Sequence, residues 1–175
     1  MAKHRRMLPD WEAPYLRSLI KLVVTQSKTT LANWCIDYSE SRLLSIYESA
    51  YPHDLRPRYA LAAAREWFGG RTRLPQAKAA ILECQAAARE AEANPAAQAA
   101  ARAIGQCAST IHSASNCAAL PLYGALAVAY DTAGIDAAWP ELEGIAAEEC
   151  GRMEAALRAV AVENEPHPAK LTWKC

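Results

Sequence analysis

The sequence predicts an all-α protein, a single-domain bundle of about seven helices built from antiparallel helical hairpins. Three observations carry that prediction. No segment alternates polar and apolar residues between turn signals, and β-branched residues are scarce. Apolar residues recur instead at the three- and four-residue spacing of a helix face. Pro14, Pro57, Pro75, Pro95, Pro121 and Pro140 each fall where a helix can begin, in a first turn whose N–H groups have no partner to lose.

Each element can be justified in order. Pro14 opens a first helix with Leu16, Leu19, Ile20 and Val23 as its buried stripe. Ser27 or Thr29/Thr30 caps a second helix that runs through Leu31, Trp34, Tyr38, Leu43, Leu44 and Tyr47 and stops before Tyr51-Pro52. Asp54 caps a third, continuing through Leu61 and Ala64 to Trp67-Phe68, where Gly69-Gly70 supply a left-handed stop. Pro75 opens a fourth, ending at Asn94, and Pro95 a fifth, ending near Asn116. A sixth has Pro121 in its first turn, carries Leu122, Ala125, Leu126 and Ala129 and ends at Gly134; the last long helix starts at Trp139-Pro140 and runs through Ile145, Glu149, Met153, Leu157 and Val160. The first ten residues read as a flexible N-terminus, and residues 163–175, with Pro166 and Pro168, as an extended tail.

The fifth helix organises the rest. From Ala96 to Asp131 small residues dominate, with His112 as the lone histidine. A face of Ala101, Gly105, Ala108, His112 and Ser115 would let a neighbouring helix approach closely, which places this helix at the bundle centre. His112 is then expected to be sealed in and satisfied by Ser109, Asn116, Tyr123 or Asp131.

Composition removes several functions. With 175 residues, 52% hydrophobic and 22% charged, the chain suits one domain with a real core. Nineteen basic and 19 acidic residues cancel, which argues against nucleic acid as the main partner. The only basic cluster, Lys3 to Arg6, reads as a solvated terminus. No run is apolar for long enough to cross a membrane, and Pro9, Asp10 and Glu12 follow the basic start without the apolar core of a signal peptide. Six cysteines without paired spacing suit reduced, buried thiols in a cytoplasmic protein.

Chemistry-bearing motifs are few. Cys107, His112 and Cys117 are spaced by five, a rotation of about 140° that separates them on a helix, so no metal site is indicated and no cofactor is expected. No nucleophile elbow is present, and no catalytic residue is assigned. Glu148-Glu149 and Glu90-Glu92 read as solvated faces. Arg56 and Arg58 sit at a helix N-terminus, where the dipole offers a cation nothing, so they need carboxylates such as Asp54 and Glu48, or an external anion.

Three strings together resemble a known family. These are Asp54-Leu-Arg56-Pro-Arg58-Tyr-Ala with Ala64-Arg65-Glu-Trp67 and Gly70; Ala101-Arg-Ala-Ile-Gly105 leading to Thr110-Ile-His112; and Tyr123-Gly-Ala with Ala129-Tyr-Asp131 and the ending from Glu165. They are similar to immunity proteins of the fifth immunity-like class, assigned to bacterial polymorphic toxin systems. The resemblance implies a helical cytoplasmic protein that protects its host by stoichiometric, non-catalytic binding of a cognate toxin. Where such proteins often carry a second histidine four residues after the first, this chain has Asn116, which puts a paired role for His112 in doubt. The candidate binding residues are Arg56, Arg58, Thr110, His112, Asn116, Tyr123 and Asp131. A charged binding patch is sought first at Arg56, Arg58, Arg65 and Arg71, or at the acidic run Glu141, Glu143, Glu148 and Glu149. The alternatives are a small-molecule or metal-dependent enzyme with a pocket around His112, Tyr123 and Asp131, and a homodimer paired through alanine-rich faces.

Overall fold

Helix follows helix from Pro14 to Val160 in the computed structural model, which describes residues 4–172. The helices are α1 (Pro14–Val23), α2 (Lys28–Tyr38), α3 (Leu44–Ala50), α4 (Arg56–Phe68), α5 (Leu74–Glu90), α6 (Pro95–Ser109), α7 (Ala125–Ala133) and α8 (Trp139–Val160). A π turn, Ser39–Leu43, joins α2 and α3 into one rod, so eight labels make the seven rods that the periodicity predicts. No strand occurs among the described residues. The proline rule holds at α1, α4, α5, α6 and α8, each with proline in its first two positions.

Local chemistry sets the helix ends. Ser27 caps α2 by accepting from Thr30 N, and Asn94 caps α6 by accepting from Ala97 N at 3.0 Å. Asp54 lies one residue earlier than a cap would: Leu55 is the capping residue of α4, and Asp54 Oδ1 accepts from Arg56 N at 3.1 Å. Past α4, Gly70 takes φ +69°, while Gly70 N and Arg71 N donate to the carbonyls of Trp67 and Glu66.

The central helix is shorter than the alanine run suggests. α6 stops at Ser109, Thr110 to His112 form a turn, and a 3₁₀ segment, Ala114–Ala118, follows before a second π turn, Leu120–Gly124, which leads into α7. Hydroxyls explain the stop. Ser109 Oγ donates back to Gly105 O at 2.9 Å, Thr110 Oγ1 to Gln106 O at 3.4 Å, and the backbone bonds of Thr110, Ile111 and His112 shift to the tighter three-residue pattern.

α6 is nevertheless the hub, packed against α2, α3, α4, α5 and α7. From Ala97 to Ser109 every residue is buried except Gln98, Arg102 and Gln106. Its alanines from Ala97 to Ala108 are buried inside the bundle. Gly105 is not the point of tightest approach: a Cβ there would meet Gln85 Cγ at 3.4 Å and Cys84 Sγ at 3.5 Å, ordinary contact. The tight place is Gly124, where the two π turns meet and a Cβ would stand 3.1 Å from Leu43 Cδ1.

Cys35, Cys84, Cys107, Cys117 and Cys150 are free and buried. Burial pushes the thiols of Cys84, Cys117 and Cys150 up to about 12. Both ends of the described chain are tied down. Leu8 is fully buried and donates its N–H to Leu122 O at 3.0 Å, and Tyr130 Oη donates to Arg5 O at 2.9 Å. At the other end Ala169 N donates to Gln26 O at 2.8 Å, and Glu165 accepts from Ser27 N, Ser27 Oγ and Thr30 Oγ1 at the start of α2. Residues 161–172 are not helical; Trp173 to Cys175, the end of the expected tail, lie outside the described residues, as do Met1 to Lys3.

Candidate functional site

The Asp54 block builds a chain of ion pairs along α4. The Arg56 guanidinium lies 2.7 Å from Asp54 Oδ2 and 2.6 Å from Glu90 Oε2, clasping the start of α4 to the end of α5. Tyr47 Oη donates to Asp54 Oδ2 at 2.6 Å, drawing in α3. The Arg56 guanidinium, helped by Tyr47, lowers the Asp54 carboxyl to about 2 against the cost of burial. Arg58 forks onto Glu48 with both bonds at 2.8 Å. Arg65 spans Asp37 and Glu40, each at 2.6 Å, and Arg71 pairs with Glu66 at 2.8 Å. The arginines of this block are thus matched by carboxylates of the same chain, as the Asp54 and Glu48 pairing anticipates.

The remaining candidates fall into separate surroundings. His112 is exposed in the turn after α6, and its ring makes no hydrogen bond among the described residues. Partial desolvation, with the charges of Lys78 and Lys28, pushes its imidazole below the ordinary value. The expectation of a sealed, satisfied histidine is therefore corrected: α6 ends before reaching it. Thr110 is fully buried, and Asn116 is half-buried in the 3₁₀ segment. Tyr123 lines a depression with Gln85, Ala88, Arg89, Arg102 and Gln106. Asp131 is exposed on α7, where it borders a shallow groove with Ile46, Asn94 and Gly134. Tyr123 and Asp131 thus border different depressions, and among the described residues no group of three His, Cys, Asp or Glu is placed to hold a metal ion.

One polar cluster escaped the sequence reading. Glu149, taken there as part of a solvated acidic run, is 0% exposed. Tyr38 Oη donates to its Oε1 at 2.5 Å, Arg42 Nε to the same oxygen at 3.0 Å, and Arg152 to Oε2 at 3.0 Å. Burial raises its carboxyl, but these three donors outweigh burial and hold it below the usual range. The same burial, with the carboxylate beside it, pushes the Tyr38 hydroxyl well up. Only the four-residue step from Tyr38 to Arg42, which aligns them on one helix face, hinted at this.

The fold and these clusters can now be set beside known proteins. Residues 21–156 match the family described as Imm-5 like putative immunity protein. The chain belongs to that family. No curated protein and no solved structure matches it. The matched span runs from α1 into α8 and so contains both the α4 arginine row and Glu149 with Tyr38, Arg42 and Arg152. In this member of the immunity family, the strings that carry the resemblance therefore do structural work: the Asp-x-Arg-Pro-Arg block fastens α4 to α3 and α5, and the Thr110 hydroxyl helps close α6. No helix of the described residues is long and apolar enough to cross a membrane.

Proposed function

We propose that this chain is a bacterial, cytoplasmic immunity protein that neutralises a cognate toxin by one-to-one binding and performs no catalysis of its own. Membership of the immunity family is the observation that carries the reading. The side-chain chemistry agrees with it. Burial raises Cys35, Cys84, Cys117 and Cys150, which disfavours thiolate nucleophiles, and among the described residues the His112 ring has no hydrogen-bonded carboxylate to orient it, while Lys78 and Lys28 oppose its charge. Protection by occlusion asks instead for a rigid surface of fixed shape and charge, and a bundle cross-linked by the α4 ion pairs supplies one.

Co-expression tests this. The product of each open reading frame beside this gene is induced alone and together with this chain, and growth is followed. One neighbour should arrest growth alone and be silenced by this chain, with purified toxin inhibited at a 1:1 endpoint. If no neighbour is toxic, or if protection persists far below equimolar chain, binding is not the mechanism.

A further inference from the structure

One flank of α6 departs from the apolar rule. Gln98, Arg102 and Gln106 stand four residues apart, which aligns them on one face. Gln98 donates its amide to Ala88 O at 3.0 Å. Arg102 and Gln106 instead open, with Gln85, Ala88, Arg89 and Tyr123, onto a depression of ≈ 220 Å³ between α5, α6 and the second π turn.

Charge sets this depression apart. Among the described arginines, Arg56, Arg65 and Arg102 are the three withdrawn from full exposure. Arg56 is held by Asp54 and Glu90, and Arg65 by Asp37 and Glu40. Arg102 meets no carboxylate at ion-pair distance and makes no hydrogen bond among the described residues, and the side chains of Arg89, Gln85, Gln106 and Tyr123 make none either. Desolvation lowers the Arg102 guanidinium, the like charge of Arg6 adds to this, and Tyr123 and Glu92 oppose it without reaching it. A partly desolvated guanidinium with no carboxylate at ion-pair distance among the described residues gains from an arriving anion, and its planar fork fits a carboxylate with two parallel bonds. The volume is below the range of about 300–1,000 Å³ usual for small-molecule sites, so it suits a single anionic side chain.

We propose that this depression receives the carboxylate of an Asp or Glu side chain presented by the protein partner, forked on Arg102, with Arg89 as a second cation and Tyr123, Gln85 and Gln106 as neutral donors. The site rests on the reading of the chain as a toxin-binding protein. Among the described residues nothing acidic lines it, so the negative charge is left for the partner to bring.

Two measurements test the site independently. In the first, N-acetylglutamate N-methylamide, inorganic phosphate and sodium chloride are titrated separately into the full chain while the arginine Nε–H signals are followed by NMR. The glutamate analogue should shift the Arg102 signal saturably, phosphate more weakly and chloride not at all. Arg102→Met should abolish the shift and keep the thermal midpoint at or above that of the parent, since no hydrogen bond or ion pair among the described residues is lost. Absence of a saturable shift, or a preference for phosphate, would overturn the carboxylate site. In the second, Arg102→Glu is compared with Arg17→Glu, a change at an exposed arginine on α1, for neutralisation of the cognate toxin. Arg102→Glu should weaken toxin affinity by about 30-fold or more, and Arg17→Glu should leave it unchanged. Equal affinities after a positive titration would mean that the pocket serves a free anion and not a docked side chain. Failure to find any toxin would count against the immunity reading while leaving the titration result to stand.

Discussion

At the scale of single residues, Glu149 concentrates the energetics. Its carboxylate is fully buried while Arg42 and Arg152 keep 45% and 60% of their side chains exposed, so the arginines can turn to solvent when the charge is removed, whereas an amide there keeps one oxygen for the Tyr38 hydroxyl and buries an NH2 donor facing the arginine donors. Glu149→Gln should therefore destabilise the fold by about 1–3 kcal/mol at neutral pH, read as a shift of the urea midpoint. The pH dependence follows from the lowered carboxyl. The unfolded chain binds this proton first as pH falls, so the contribution is complete above the ordinary glutamate value near 4.5 and is lost as pH drops through the lower folded value. The gap between parent and Glu149→Gln should shrink between pH 6 and pH 3; a gap that stays constant would mean that the charge contributes nothing. Sequence alone could not place this residue, since its partners Arg42 and Tyr38 lie 107 and 111 positions away. Arg56 and Arg58 were legible for the opposite reason, because Asp54 and Glu48 stand only two and ten positions away.

Among the elements, starts were easier to read than stops. A proline leaves its mark on a first turn whatever the tertiary context, which is why the beginnings of α1, α5, α6 and α8 fall where the sequence puts them. The end of α6 depends on Ser109 and Thr110 turning their hydroxyls back onto the helix, and an alanine-rich run with no proline until Pro121 hides that choice. Carrying the helix on to Asn116 is what buried His112 on paper; with the helix closed at Ser109, the ring stands in solvent. The glycines of α6 and of the second π turn give a paired test of packing. Gly105→Ala should stabilise the protein by about 0.5–1 kcal/mol, because α6 tolerates a Cβ at ordinary contact and alanine is the better helix former. Gly124→Val should cost about 1–3 kcal/mol, since Leu43, fully buried, has no room to retreat. Thermal midpoints moving in the same direction for both would refute this account of where the helices crowd.

For the molecule as a whole, both ends of the described residues take part in the fold. The tail after α8 returns to the beginning of α2, where Glu165 satisfies Ser27 N and two hydroxyls and lies at the positive end of a helix. Burial raises that carboxyl, and the Thr30 and Ser27 donors more than reverse the effect. Glu165→Ala should lower stability by about 1 kcal/mol and speed amide exchange in the first turn of α2 without disturbing α5 or α6. Uniform exchange changes across the bundle would instead make the tail part of one cooperative unit. The five interior cysteines bear on how such events can be watched. They are distributed over α2, α5, α6, the 3₁₀ segment and α8, so an alkylating reagent can reach each sulfur only after its own helix has come away. A short pulse of iodoacetamide followed by peptide mass mapping would therefore date the loosening of each rod in turn, with no engineered label: the molecule carries its own set of chemical stopwatches.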